Sequence, residues 1–422
     1  MRRAVKIAGV GCVGVLALAS VGQWLTGYYH DQQLDAWLQQ LHSVPGLRAV
    51  WEPDTNNWLQ RDGALQLTLE PQLVWQLSAG AWQPAAPVTL QWNVSQQLWP
   101  FYISGRAYLD SDVGVYQQLR LQQGIASIPH KLRWHINGLT RHFDTRLAVA
   151  GFELEQDGLQ LTMAPLQLQL EGRGDRLSLQ LQWQGGKRQR QDRADWQVEP
   201  LSVVQDWHQQ DGFWVTQHQQ WQLQGLMLPA VGVEVRQLAW QLTRQDDEAA
   251  SRLDLTAQLA CQQCQWASGD VLVQQLQAQL QFRHLDRLAY QALWNGPMTG
   301  AVAQWQKLAA LQQLVSAGMT VTIPEAAVHY NGGELQVSAD LQLARDPRPV
   351  LSVASLFSRL EGQAQLTASE ALIRQWPNAQ AIQQWQQAGY LQPVAQGWSS
   401  RLQAKDGRVT LNGTALPVQS VR

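Results

Sequence analysis

Apolar and polar residues alternate along much of this chain, the pattern of a strand with one buried and one solvated face. In "ALQLTLE" the leucines at 65, 67 and 69 are separated by polar residues, and Leu73, Trp75 and Leu77 keep the same parity past Pro71. "GLQLTMAPLQLQLEG" changes parity at its Ala-Pro pair, which predicts a bulge or a bend. "RLSLQLQW" follows a turn-like "EGRGD", so these two runs predict a hairpin. Further alternating runs are "WVTQHQQWQLQG", "GVEVRQLAWQLTR", "SRLDLTAQLAC", "DVLVQQLQAQLQF", "GELQVSADLQL" and "RLQAKDGRVTLNG".

Helical periodicity is confined to three segments. Residues 31–44 place four apolar residues on one face. Residues 284–318 predict two helical pieces, separated by the Gly-Pro pair in their middle. Residues 367–392 begin with Thr367 and Glu370 at the spacing of a capping box.

These patterns predict a mainly β protein with some α-helix. We expect one or more extended antiparallel sheets, built as a meander, with an N-terminal transmembrane helix and C-terminal helices. Residues 1–29 would form a cytoplasmic tip and a membrane anchor. Residues 30–283 would form a β-rich periplasmic region that opens with a short helix. Residues 284–422 would add helices and closing strands that continue the preceding sheet.

The first thirty residues combine a basic start with an uncharged run. Arg2, Arg3 and Lys6 precede a segment from Ile7 to Leu25 that is long enough to cross a bilayer core. No Lys or Arg follows until Arg48, which predicts a cytoplasmic N-terminus and an exported body. The rival interpretation is a signal peptide cleaved after the small-residue stretch "ALA". The residues expected to hold the anchor are Ile7, Val13, Leu16, Leu18, Trp24 and Leu25.

Composition narrows the classes of partner. The net charge is −2 and only 15% of the residues are charged, so we expect no binding to nucleic acid. The 21 tryptophans predict a wide apolar interior or an apolar surface that needs a cover. The alternative is a compositional bias without functional meaning.

Four short motifs resemble a known family. "GQWLTGYYHDQQLDAWL" resembles the N-terminus of the YdgA-like proteins, the DUF945 family, and "NNWLQRDGALQLTLEP" is similar to the family's early strand. "AGYLQ" and "DGRVTLNGTAL" are similar to its last helix and its closing hairpin, although Asp62 separates the Arg and Gly that the family places together. The resemblance implies a Gram-negative envelope protein held in the inner membrane by an uncleaved helix. It implies no activity, catalytic residue or cofactor.

Cys261 and Cys264 form a Cys-x-x-Cys pair. In an oxidising compartment they could close a small structural disulfide. Free thiols are the second interpretation. A redox or zinc site is the third, but it would need a helix start or two further ligands.

No residue pattern predicts catalysis. His135 and His142 are the closest histidine pair, and on one strand they would face opposite ways, although the Asn-Gly pair between them could bring them together. A polar hairpin end is the interpretation favoured over a metal or acid–base site. No nucleophile elbow, phosphate loop or zinc-protease motif occurs in the sequence. We therefore expect a non-enzymatic protein without a metal or cofactor.

Two functions compete at this stage. The first is the binding or transfer of lipid, or of another apolar envelope molecule, along a groove of the sheet lined by Leu and Trp. The second is a structural or assembly scaffold that self-associates and holds no ligand. The expected partners are the inner membrane, an apolar ligand and a second copy of the chain.

Overall fold

A computed structural model describes the chain with gaps. The described residues are 23, 26–36, 38–39, 41–42, 44–57, 59–73, 86–110, 112, 130–156, 158–190, 193–210, 213–247, 251–266, 271–295, 301–346, 353–375, 379–395 and 397–416. The six residues expected to hold the anchor lie outside them, whereas Gln23 of the same uncharged run is described. Across the described ranges, no helix combines the length and the apolar character needed to span a bilayer.

Strands dominate the described residues, as predicted. They are β1 Leu47–Asn56, β2 Gln60–Leu69, β3 Val88–Trp99, β4 Tyr102–Leu109, β5 His130–Asn137, β6 His142–Val149, β7 Phe152–Gln156, β8 Leu159–Met163, β9 Leu166–Arg173, β10 Arg176–Trp183, β11 Gly186–Arg190, β12 Arg193–Val198, β13 Leu201–Gln210, β14 Phe213–Leu228, β15 Val233–Asp247, β16 Arg252–Trp266, β17 Val271–Asp286, β18 Met319–Tyr330, β19 Gly333–Leu343, β20 Leu360–Ser369, β21 Gln392–Val394, β22 Gly397–Lys405, β23 Arg408–Leu411 and β24 Thr414–Ala415.

The helices are few and short. An N-terminal helix includes residues 26–36, 38–39 and 41–42. The others are α1 Arg287–Asn295, α2 Ala301–Ala317, α3 Val353–Phe357, α4 Glu370–Gln375 and α5 Ala379–Gln387, with a 3-10 turn at Pro229–Val231.

The chain divides into two compact units. The first comprises residues 1–194 and 206–214, and the second comprises residues 195–205 and 215–422. The boundary expected at residue 283 falls within β17.

The first unit is built as an antiparallel meander. Hydrogen-bonded neighbours follow the order β1-β2-β3-β4-β5-β6-β9-β10. β7, β8 and β11 form a second ladder beyond the Ala164–Pro165 break, where β8 ends and β9 begins. The parity change at that Ala-Pro pair therefore marks a break between strands, and the hairpin predicted from "EGRGD" is the β9–β10 pair.

The second unit is also an antiparallel meander, in the order β14-β15-β16-β17-β18-β19-β20-β22-β23-β24. Helices α1 and α2 cover one apolar cluster of its strands, in which Leu253, Leu255, Leu285, Ala289 and Leu314 are buried. Asp286 begins α1 by accepting a hydrogen bond from the Ala289 amide at 2.9 Å. The two helical pieces predicted between residues 284 and 318 are confirmed.

Two local predictions are wrong. Residues 71–73 are helical, so β2 ends at Leu69 and Leu73 does not continue it; Trp75 and Leu77 lie outside the described residues. Thr367 does not begin a helix, because it pairs with Gln336 on one side and Ser399 on the other within β20. Ser369 caps α4 instead, since its Oγ accepts the Leu372 amide at 3.3 Å. Strand pairing on both sides outweighs the local capping signal.

Candidate functional site

An apolar cleft lies between the N-terminal helix and strands β3, β4 and β5 of the first unit. Its volume is about 510 Å³, within the roughly 300–1,000 Å³ typical of small-molecule sites. Aromatic and aliphatic side chains make up most of the wall. The lining residues are Thr26, Tyr29, His30, Gln33, Leu34, Gln96, Phe101, Ile103, Trp134, Ile136 and Gly138.

An ion pair holds the helical wall of the cleft against the sheet. Arg61 of β2 binds both oxygens of Asp31, with Nη2–Oδ2 at 3.2 Å and Nε–Oδ1 at 3.3 Å. Its Nη1 also donates to the Asn57 carbonyl. The Arg61 side chain is nearly buried, and a two-bond contact of this kind fixes orientation as well as distance.

The pKa of Asp31 lies below its ordinary value. Burial alone would raise this pKa. Hydrogen bonds from Arg61 and His30, together with the charges of these two residues, lower it by more than burial raises it. The carboxylate is therefore ionised at neutral pH, where it keeps the helix docked.

Two further hydrogen bonds fasten the start of the helix to the β3–β4 turn. Gln23 Nε2 donates to the Leu98 carbonyl at 2.9 Å, and the Phe101 amide donates to Thr26 Oγ1 at 2.8 Å. Gln23, Thr26 and Leu98 are buried. The helix thus enters the first unit beside the turn that forms one rim of the cleft.

The floor of the cleft depends on a glycine. Gly105 of β4 pairs with Trp134 of β5, and the indole ring lies where a Gly105 side chain would stand. Because any Cβ at residue 105 would overlap the ring, the glycine lets Trp134 lie flat along the sheet. Gly172 accommodates the Phe143 ring in the same way, two strands further on.

One polar atom of the cleft has no partner among the described residues. The Gln96 Oε1 atom is buried and accepts no hydrogen bond there. A buried acceptor without a donor costs about 1–3 kcal/mol.

The histidine pair lies at the polar end of the β5–β6 hairpin. Asn137 is opposite His142 and His135 is opposite Asp144, so both histidines share one face of the sheet. The two histidines are on different strands, and the Asn-Gly turn between them brings them together, the alternative that the sequence left open. His135 accepts or donates a 2.9 Å bond with Tyr102, while His142 contacts Glu171 at 3.1 Å. No cluster of metal-ligating residues occurs in the described part of the chain.

Cys261 and Cys264 are bonded as a disulfide within β16. Both are buried, in a cluster with Val235 that Leu238 and Val273 help to enclose. The strand continues to Trp266, and no helix begins at the pair, so the geometry of a thiol redox site is absent from this strand.

A kink crosses four strands at the disulfide. Gln224, Gln237, Gln262 and Gln275 stand opposite one another but make no ladder pair, and Gln237 and Gln275 have positive φ. On each strand the apolar parity shifts at this glutamine, giving an apolar spacing of three residues. That spacing lets both cysteines of β16 face the same cluster.

The tryptophan-bearing strands β14 and β15 line a second groove, which is less apolar than the cleft of the first unit. Trp221 and Trp240 are directly opposite each other on β14 and β15. The groove beside them has a volume of about 340 Å³, and six of its thirteen lining residues are glutamines. An apolar molecule therefore fits the cleft of the first unit better than this groove.

The sequence model of a family described as "Bacterial protein of unknown function (DUF945)" matches residues 135–419. The chain belongs to this family. The match agrees with the DUF945 resemblance seen in the sequence and starts within β5, after most of the cleft residues. No curated protein and no solved structure matches the chain.

Sequence reasoning missed the cleft, because its walls come from segments up to a hundred residues apart. The signal available was local: Leu132, Trp134 and Ile136 alternate with Lys131, Arg133 and His135 in β5. This alternation predicts a strand, but only the docked helix turns its apolar face into a cleft.

Proposed function

We propose that this DUF945 member is a non-enzymatic periplasmic protein that binds a lipid or another apolar envelope molecule in the cleft of its first unit. The volume and the apolar wall of that cleft are the observation that carries the proposal. Such sites combine a mostly apolar lining with a few polar groups that orient the ligand. Here Thr26, His30 and Gln33 are polar residues of the lining.

The proposed location is the bacterial inner membrane. The uncharged run from Ile7 to Leu25, with its preceding basic residues, supports a single span with the N-terminus in the cytoplasm. The body would then lie in the periplasm, an oxidising compartment that suits the Cys261–Cys264 bond.

The test is native mass spectrometry, with lipid extraction, on the full chain purified from membranes. A fatty acid carrying a diazirine serves as the probe, and ultraviolet light links it to the residues it touches. We expect a bound apolar molecule in the native protein, and crosslinks at Trp134 or Ile136.

Matched variants separate cleft binding from general apolar adsorption. Ile136→Glu places a charge in the cleft, whereas Val50→Glu places one on an exposed apolar position of β1 that does not line it. The first variant should lose the crosslink and the second should keep it. Equal labelling of both variants would contradict the proposal.

A scaffold that self-associates is the second candidate. Helix α2 exposes an apolar stripe of Trp305, Leu308 and Leu311, with Trp305 71% exposed. An exposed apolar stripe on a helix is typical of a surface that is buried by a partner protein or a second copy. Two results together would favour the scaffold. The native chain would form a stable oligomer with an empty cleft, and the double variant Trp305→Glu with Leu308→Glu would be a monomer.

A further inference from the structure

Four turns lie at one end of the sheet of the first unit. In an antiparallel meander, alternate turns fall at the same end, and the short ones here are residues 57–59, 100–101, 138–141 and 174–175. Backbone hydrogen bonds join them sideways. Leu98 N donates to Leu59 O at 2.8 Å, Gly138 N to Phe101 O at 2.7 Å, and Gly174 N to Arg141 O at 3.0 Å. We call this edge the turn end.

Large apolar side chains are exposed at the turn end. Leu59 is 52% exposed, Trp99 is 53% exposed and Leu139 is 73% exposed, and Phe101 stands beside them. Tight turns normally carry Gly, Pro, Asn, Asp and Ser, because these residues supply the backbone conformations and local hydrogen bonds that a turn needs. Each of three neighbouring turns here exposes at least one large apolar residue. A patch of this kind indicates that an apolar partner contacts this edge.

The fourth turn and its neighbour are basic. Arg141, Arg173 and Arg176 are all exposed there, beside two acidic groups: Asp175, in contact with His208, and Glu171, in contact with His142. Apolar side chains next to a cluster of arginines are typical of a surface that rests on anionic lipids.

The chain enters the first unit at the same end. Gln23 is bonded to Leu98 and Thr26 to Phe101, so these two residues, near the end of the uncharged run, lie beside the β3–β4 turn. If that run crosses the bilayer, the turn end is the part of the body nearest the lipid. Aromatic residues are enriched at that depth.

We propose that the turn end docks on the periplasmic surface of the membrane. Leu59, Trp99 and Leu139 enter the interface between headgroups and acyl chains, and the arginines contact lipid phosphates. Phe101, Ile136 and Gly138 belong both to this end and to the wall of the cleft. An acyl chain therefore passes from the bilayer into the cleft without crossing water. The proposal rests on the proposed anchor but not on the cleft being occupied.

The test measures depth at single labelled positions of the full chain. Cys12 is replaced by Ser, and Leu139→Cys or Leu59→Cys is labelled with an environment-sensitive fluorophore. The protein is placed in vesicles of phosphatidylethanolamine and phosphatidylglycerol, with spin-labelled lipid as the quencher. Tyr108→Cys is the matched control, because Tyr108 is an exposed residue at the opposite end of β4.

We expect spin-labelled lipid to remove most of the fluorescence at positions 139 and 59 and to leave that at 108 unchanged. If the fluorescence at position 139 or 59 is quenched no more than that at position 108, the docking proposal is overturned. Flotation of the same samples with the vesicles tests the anchor separately. Leu139 is so exposed that its replacement leaves the core intact, and an unchanged circular dichroism spectrum checks this.

Discussion

At the scale of single residues, Gly105 controls the shape of the cleft. We expect Gly105→Ala to push the Trp134 ring off the sheet, since the new methyl group would occupy the place of the indole. Overpacking of this kind costs about 1–3 kcal/mol. Urea denaturation measures the loss of unfolding free energy, and the diazirine probe measures the loss of binding.

Gly138 provides the control for that substitution. It lines the same cleft, but a Cβ there would approach nothing closer than the Phe101 carbonyl at 3.5 Å. Gly138→Ala should leave stability nearly unchanged. If both alanine variants unfold alike, the contact between Gly105 and Trp134 does not shape the cleft.

Asp31 makes the docking of the N-terminal helix dependent on pH. Its pKa is lowered in the folded protein, so its contribution to stability is present at pH values above the unfolded pKa of about 3.9. This contribution is lost as the pH falls through the lowered folded value. Because Asp31 is half exposed, the pair is worth at most about 1 kcal/mol.

The measurement compares unfolding of the native chain and of Asp31→Asn at neutral pH and below pH 4. The native chain should be the more stable of the two at neutral pH, and the difference should vanish in acid. Asp35→Asn, on the exposed side of the same helix, should show no such convergence. Equal stability of the native chain and Asp31→Asn at neutral pH would contradict the role given to Asp31.

At the scale of secondary-structure elements, the disulfide supports the kink in β16. Closing a loop this short stabilises the folded chain by about 2 kcal/mol on chain-entropy grounds. We expect Cys261→Ala with Cys264→Ala to lower the urea midpoint by a corresponding amount. The kink itself should persist, because the neighbouring strands carry the same three-residue apolar spacing.

Reductant gives the control for the disulfide. It should lower the stability of the native chain toward that of the double alanine variant, and it should not affect the variant. A native chain that is indifferent to reductant would mean that the bond contributes nothing measurable.

The elements differ in how far the sequence reveals them. Alternation predicted β2, β8 to β10, β14 to β17, β19, β22 and β23, because apolar and polar residues alternate over most of each strand. It missed β18, where Pro324 and Glu325 interrupt the ladder with a register shift, and β1, where the shift lies between Pro53 and Thr55. The four-strand kink was visible in principle, since apolar parity shifts at a glutamine on each strand. The cleft was not, because no local pattern shows which face the N-terminal helix will cover.

At the scale of the whole molecule, the N-terminal segment decides the location. If Ile7 to Leu25 is a permanent anchor, the full chain should stay with the membrane after alkaline carbonate extraction. Its body should be digested by protease added to cells with an opened outer membrane. A protein released into the periplasm, with an intact mass that begins near Ser20, would instead show a cleaved signal peptide.

The meander also governs the order in which the chain can fold as it is made. From β1 to β6, each strand pairs with the strand synthesised just before it, so a partner is waiting when each new strand arrives. Contacts this local close small loops and favour fast folding. β6 is the exception, since its second neighbour is β9 and the whole β7–β8 segment must arrive first. The outer edge of β6 therefore stays unpaired while β7 and β8 are made, and a binding chaperone would find an open strand there.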